Sequence, residues 1–369
     1  MKPSAATELT RTLVRIDTVN PPGNERACIE VLAGVLGDAG FALHRQEFAP
    51  GRTSLVARIG KGEWPLAFTG HVDTVPLGHA PWSVDPFGAE MIDGRIYGRG
   101  ASDMKAGVAA FVQACLNRLD ALRAGPGALL VITAGEETGC EGAFDLLQNA
   151  PLALPSALVV GEPTANRIWL GHKGALWLRG TARGVTAHGA MPEKGRNAIG
   201  MAAGAIAHLA DFRFHACRHA ALGQPTLNVG TIRGGLNINS VPDHCEFTLD
   251  LRTVPGQAHA DVRAAVAAHV GEHIELSPLL DVPPVWTDAA HPWIARVQQA
   301  VRETTGRDEG IAGASYFTDA AALQLAWAEV PVVILGPGEP AMAHQTDEYC
   351  LVERIDEAVA IYERLIDGT

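Results

Sequence analysis

Seven residues of this 369-residue chain have the types and placement to do chemistry together, and most of them stand just past an apolar run. LAFTGHVDTVP carries His71 and Asp73, IYGRGASDMKAG carries Asp103, and VITAGEETGCEG carries Glu136 and Glu137. ALVVGEPT carries Glu162, and LGPGEPAMAHQTDEY carries His344. In an extended segment His71 and Asp73 point to the same side. A carboxylate there can accept the far N–H of a metal-bound imidazole and fix its tautomer. Two adjacent glutamates at a buried strand end repel each other unless something positive neutralises them. Taken singly, each motif has a plainer reading: a solvated histidine, an aspartate capping a helix that opens near Met104, an acidic loop. Taken together, His71, Asp103, Glu137, Glu162 and His344 suit two Zn²⁺ or similar ions. Five ligands for two ions make one carboxylate a bridge, with the ions about 3.5–4 Å apart and a water between them. Glu136 is then the spare carboxylate beside that water, where a general base belongs.

Other chemistries lack their signatures. HExxH is absent, as are the GxSxG nucleophile elbow and the glycine-rich loops of nucleotide binders. Cys140 follows the glutamate pair, but an acidic setting raises a thiol pKa, so it reads as structural.

The elements that must position these residues alternate between helical and strand patterns. Residues 25–39 and 105–122 have helical spacing, and 54–60, 65–70, 128–135 and 156–162 are short buried strands. This βαβ rhythm implies a mostly parallel sheet covered by helices. In such a sheet the carboxyl ends of the strands line the ligand crevice. Near residue 174 the pattern changes. Residues 175–184, 226–235 and 245–255 interleave polar and apolar positions, as antiparallel strands with one wet face do, and helices are expected at 197–211 and 258–270. From about 288 the first rhythm returns, with helices at 291–305, 317–326 and 352–367 and a strand at 331–336. The expected fold is α/β. A first domain is made of 1–173 and 288–369 around a mixed, mostly parallel sheet, with an inserted α+β domain at 174–287.

A formal charge of −12 argues against nucleic acid and against an anionic membrane surface as partners. The N-terminal segment has no apolar core of a signal peptide, and no apolar stretch approaches the roughly 20 residues of a membrane span. Six cysteines (28, 115, 140, 217, 245 and 350) are scattered without a CxxC pair. The expected location is therefore the cytoplasm, with reduced thiols.

The ordered set GHVDTVP, GRGASDMKAG, GEETGCEG, GEPT, GVTAHGAMP and LGPGEPAMAHQTDEY resembles the dinuclear zinc amidohydrolases. Those include acetylornithine deacetylase, succinyl-diaminopimelate desuccinylase, aminoacylase and glutamate carboxypeptidase. The likeness runs from about residue 9 to 365. It implies a two-metal catalytic domain, with zinc as the expected ion and cobalt or manganese as substitutes, and an inserted lid that makes a homodimer. It implies Asp103 as the bridge, His71 and Glu162 on one ion, Glu137 and His344 on the other, Asp73 behind His71, and Glu136 as base. It further implies a cis peptide at Asp103–Met104, His188 as a lid histidine reaching a neighbouring subunit's site, and Arg252 and Asn239 as substrate-binding residues. Glutamate rather than aspartate at 162 goes with deacylases and carboxypeptidases in that family. GEPT, HKG (172–174) and AHQTDEY look most like acetylornithine deacetylase, while GASYFTDAAAL (313–323) departs from it. The expected reaction is hydrolysis of an N-acyl-L-amino acid. The alternatives are a carboxypeptidase or dipeptidase of the same family, and an inactive dimeric binding protein.

Overall fold

The computed structural model describes residues 3–215, 218–308 and 310–368. Contacts divide the chain into two units. The larger holds 1–171, 286–313 and 318–369, and the smaller holds 172–285 with 314–317. The short return of 314–317 to the smaller unit has no signal in the sequence.

The larger unit is a nine-stranded sheet whose centre is parallel. Leu66–His71 lies between Ala128–Thr133 and Ala157–Val160, parallel to both, and Val332–Ile334 continues the parallel run beside Ala157–Val160. Ala42–Ala49 and Arg52–Ile59 add antiparallel strands on one side; on the other, Trp169–His172 runs antiparallel to Val332–Ile334 and has Val285–Trp286 as its outer neighbour. Every residue of Leu66–His71 and Ala128–Thr133 is buried, as expected of strands with helices on both faces. Phe68 stacks on Phe111 of the Ala106–Asn117 helix at 5.7 Å and meets Tyr362 of the Val352–Asp367 helix edge-on at 5.4 Å. Gly107 lets the first of these helices press on the sheet. A Cβ there would lie 2.0 Å from the carbonyl oxygen of Gly161, beside Glu162.

Several elements differ from the sequence expectation. The helix over 105–122 is broken at Arg118, which leaves helical geometry while its guanidinium pairs with Glu363 and Asp367. The helix over 317–326 shrinks to Ala320–Leu323, and the chain turns as Gln324 Nε2 donates to the Val330 carbonyl. Asp103 caps no helix: it sits inside an irregular turn, Ala101–Lys105, at φ −118° and ψ 91°, with a cis peptide to Met104.

The smaller unit is a four-stranded antiparallel sheet in the order Thr226–Gly234, His244–Thr253, Gly174–Arg183, Ile274–Val282. Helices Ala198–Leu209 and His259–Val270 cover one face, closing a core around Leu176, Leu178, Phe247 and Leu249. Burial alternates along His244–Thr253, as one wet face requires. Five cysteines are free and buried; Cys217 lies outside the described residues. Among the described residues no helix is long and apolar enough to cross a membrane.

Candidate active site

Four sheet strands deliver their acids and histidines to one edge. His71 ends its strand and pairs in register with Thr133, three residues before Glu136. Glu162 follows the strand ending at Val160, and His344 follows the one ending at Ile334. Asp103 arrives from the irregular turn that precedes a helix.

Asp103 lies between the two histidines. One oxygen is 3.3 Å from His71 Nε2 and the other is 3.5 Å from His344 Nε2. Glu162 Oε1 is 3.7 Å from His71 Nε2, and Glu137 Oε2 is 3.2 Å from His344 Nε2. Two groups able to hold an ion result, His71–Asp103–Glu162 and Asp103–Glu137–His344, with Asp103 in both. They differ in access: the His71 side chain is 1% exposed and that of His344 is 53% exposed.

The electrostatics are those of an acid cluster short of cations. Burial pushes the Glu162 carboxyl far above its ordinary range, and the neighbouring Asp103 charge pushes it further. Burial does the same to Glu136, opposed by His71 and reinforced by Glu162, Glu137 and Asp319. Burial also raises Glu137, against the hydrogen bond from His344. At His71 burial opposes the charged ring, but hydrogen bonds to Asp103 and Asp73 and the Glu162 charge outweigh it and hold the imidazole well above its usual value. His71 Nδ1 lies 3.0 Å from the Asp73 carbonyl oxygen, which can only accept, so Nδ1 carries the hydrogen and Nε2 faces the acids. Buried Glu136 Oε1 and Glu137 Oε1 have no hydrogen-bond partner among the described residues. A divalent cation in each group would neutralise the clustered carboxylates of Asp103, Glu137 and Glu162, and imidazole with carboxylate is a donor set that binds one. The residues therefore fit two metal ions.

Asp73 has more to do than face His71. Its carboxylate is 3.4 Å from the ring but accepts N–H donors from Glu136 at 3.1 Å, Glu137 at 3.2 Å and Asn20 Nδ2 at 3.0 Å. It thereby holds the turn that carries both glutamates. Asn20 escaped sequence analysis, as did Asp319. Asp319 is buried, with one oxygen bonded to Thr133 Oγ1 and the Cys140 thiol as a further neighbour, and burial lifts its carboxyl to about 6. Its only sequence signal is an aspartate ahead of an alanine run.

In the smaller unit, His188 and Asn239 are exposed neighbours. His188 pairs with Ser240 across a two-stranded ribbon, and Gly189 N–H donates to the Asn239 carbonyl at 2.8 Å. Arg252, half-buried, is paired with Asp250, its Nε 2.9 Å from Oδ1. Asp250 also accepts from Trp177 Nε1, and Phe317 meets Trp177 edge-on at 6.4 Å.

Two groups able to hold an ion share one carboxylate at the carboxyl edge of a parallel sheet, an arrangement suited to metal-assisted hydrolysis. The chain belongs to peptidase family M20/M25/M40, whose family profile matches residues 67–368. It is 33% identical over 360 residues to the acetylornithine deacetylase of Pasteurella multocida (strain Pm70), covering 93% of this chain and 91% of that protein. Its fold resembles an M20 family metallo-carboxypeptidase from Sulfolobus solfataricus with a TM-score of 0.82, at 19% identity and 99% coverage of both chains. It also resembles a dinuclear metal-binding M20 peptidase from Bacillus subtilis with a TM-score of 0.70, at 16% identity, covering 98% of this chain and 97% of that one.

Proposed function

We propose that the protein hydrolyses the amide bond of an N-acyl-L-amino acid, in the manner of acetylornithine deacetylase, with two divalent ions, zinc first among them. The observation that carries this reading is Asp103, whose two oxygens face His71 and His344 separately and so join two ligand groups into one site. The curated relatives named acetylornithine deacetylase, at 31–33% identity, support the deacylase branch. Glutamate at 162 fits a deacylase or a carboxypeptidase and so supports either over an aminopeptidase.

His71, Asp103 and Glu162 would hold one ion, and Asp103, Glu137 and His344 the other. The ions would supply polarisation of the scissile carbonyl and acidification of the attacking water. Glu136, the buried carboxylate of the cluster that belongs to neither ligand group, would take the proton of that water and return it to the leaving amine. Asp73 keeps Glu136 in place through its backbone N–H. Arg252 binds the substrate carboxylate by exchanging it for Asp250, and Asn239 adds an amide donor.

His188 serves a second copy of the chain. Three features support a homodimer: among the described residues the outer strand Thr226–Gly234 pairs on one edge alone, Ile232 is exposed on it, and Leu236 and Ile238 just beyond it are almost fully exposed.

The test is a mass-spectrometric panel of N-acetyl, N-succinyl and N-formyl amino acids with dipeptides, run on zinc-reconstituted and chelated protein. Metal-dependent release of one amino acid from acyl substrates is the expected result. Cleavage of dipeptides alone would replace the deacylase by a peptidase, and no cleavage with two ions bound would leave a substrate outside the panel or a binding protein.

A further inference from the structure

Glu348 is fully buried, and its carboxylate is saturated by donors from the loop that carries Asp103. Oε1 accepts the N–H of Ser102 at 2.8 Å and of Asp103 at 3.0 Å. Oε2 accepts the N–H of Gly100 at 2.9 Å and Arg99 Nη1 at 2.7 Å. Arg99, itself buried, also donates to the carbonyls of Gln345 at 3.1 Å and Pro76 at 3.2 Å. Ser102 Oγ donates to the Tyr349 carbonyl at 2.6 Å and accepts Glu339 N–H at 2.9 Å. Three segments are thereby tied at one point: the loop after His71, the turn bearing Asp103, and the stretch running on from His344.

This turn needs an external acceptor. Gly100 is left-handed at φ 82° and Asp103 is non-helical, so the N–H groups between them cannot join a regular helix ladder, and buried donors must be paired. The segment bringing Glu348 in carries His344 and Asp347 at positive φ, 64° and 57°. Such conformations persist where surrounding contacts over-determine them. A buried Arg–Glu pair is weak evidence for stability, because desolvation offsets its attraction. Its positional effect is strong, since Asp103 must present one oxygen to each ligand group and an error of about 1 Å spoils both.

We propose that Glu348 is a positioning residue for the metal centre: it fixes Asp103 relative to His344 and so sets the affinity and geometry with which both ions are held. The proposal rests on the metal-site reading above, and its test reads binding, not turnover. Chelator-stripped wild-type, Glu348→Gln and Glu348→Asp proteins are titrated calorimetrically with Zn²⁺ and with Co²⁺. The visible absorption of the Co²⁺ forms records coordination geometry. Glu348→Gln turns an NH₂ toward N–H donors and is expected to weaken metal binding about 10–100-fold and change the Co²⁺ spectrum, with the metal-free circular dichroism unchanged. Glu348→Asp keeps the charge but falls one methylene short, and is expected not to restore binding. Wild-type affinity and spectrum in Glu348→Gln, even with a lowered Tm, would overturn the proposal. Should Glu348→Gln fail to fold, Arg99→Lys, which keeps the charge but loses the forked donors, is read in the same way: a several-fold weaker affinity is expected and an unchanged one overturns. A wild-type protein that binds no ions would instead sink the metal-site reading, and the proposal with it.

Discussion

The two units use polar residues in opposite settings. In the larger unit the acids and histidines follow strands buried on both faces, so a charge there has few places to go and must be met by a partner. In the smaller unit His188, Asn239 and Arg252 stand on or beside strands with a wet face, where an arginine or histidine costs nothing and signals nothing. Burial is what makes a residue type informative. The site in the larger unit can be argued from contacts alone, whereas the roles given to the three residues of the smaller unit rest on resemblance.

Substitutions can break this contrast. The largest effect is expected for Asp103→Ala, which removes a ligand from both groups: metal content measured by mass spectrometry should fall and turnover should drop to background. Glu136→Gln should keep both ions and lose about 10³-fold or more in kcat. Equal loss of metal would instead make Glu136 a ligand. Leu236→Glu combined with Ile238→Glu should convert the proposed dimer to monomer in light scattering and cost about 10²–10³-fold in activity, as removal of an oxyanion donor does. A monomer of full activity would show that His188 does not act in a second subunit. Arg252→Met should change metal content least and lower kcat/KM about tenfold, through KM, by the loss of one charged hydrogen bond. If Arg252→Met instead released metal, the separation of roles between the units would be wrong.

Much of the larger unit was legible because apolar runs followed by acids have few alternatives. The strands carrying His71, Glu136, Glu137 and Glu162 begin and end within a few residues of their expected places. The two longest strands without a sequence expectation were hidden for physical reasons. Ala42–Ala49 is an edge strand with no fully buried residue, so its pattern carries no apolar alternation. Ile274–Val282 contains Pro278, which argues against a strand, and the structure accommodates it with a register shift between Pro278 and Leu280. The supporting residues were hidden by distance along the chain. Asn20 meets Asp73 from 53 residues away, and Glu348 meets Asp103 from 245. No local spacing encodes such a meeting. The 317–326 segment misled for the reverse reason. Its alanines favour a helix, but Asp319 turns to Thr133 instead of capping one.

The route of the chain through the nine-stranded sheet has one more consequence. It leaves by Trp169–His172 and returns by Val285–Trp286, and these strands are direct neighbours, joined by Thr287 N–H to the Leu170 carbonyl at 2.8 Å. An excursion of more than a hundred residues thus begins and ends at almost one place. The larger unit holds the five candidate ligands, Glu136, and the two carboxylates that brace them, Asp73 and Glu348. A chain spliced across those strand ends would keep the whole ion-holding centre and give up only the parts assigned to substrate and to a second subunit. Enlargement, exchange or loss of the inserted segment would thus leave the path of the sheet that bears the candidate ligands unchanged.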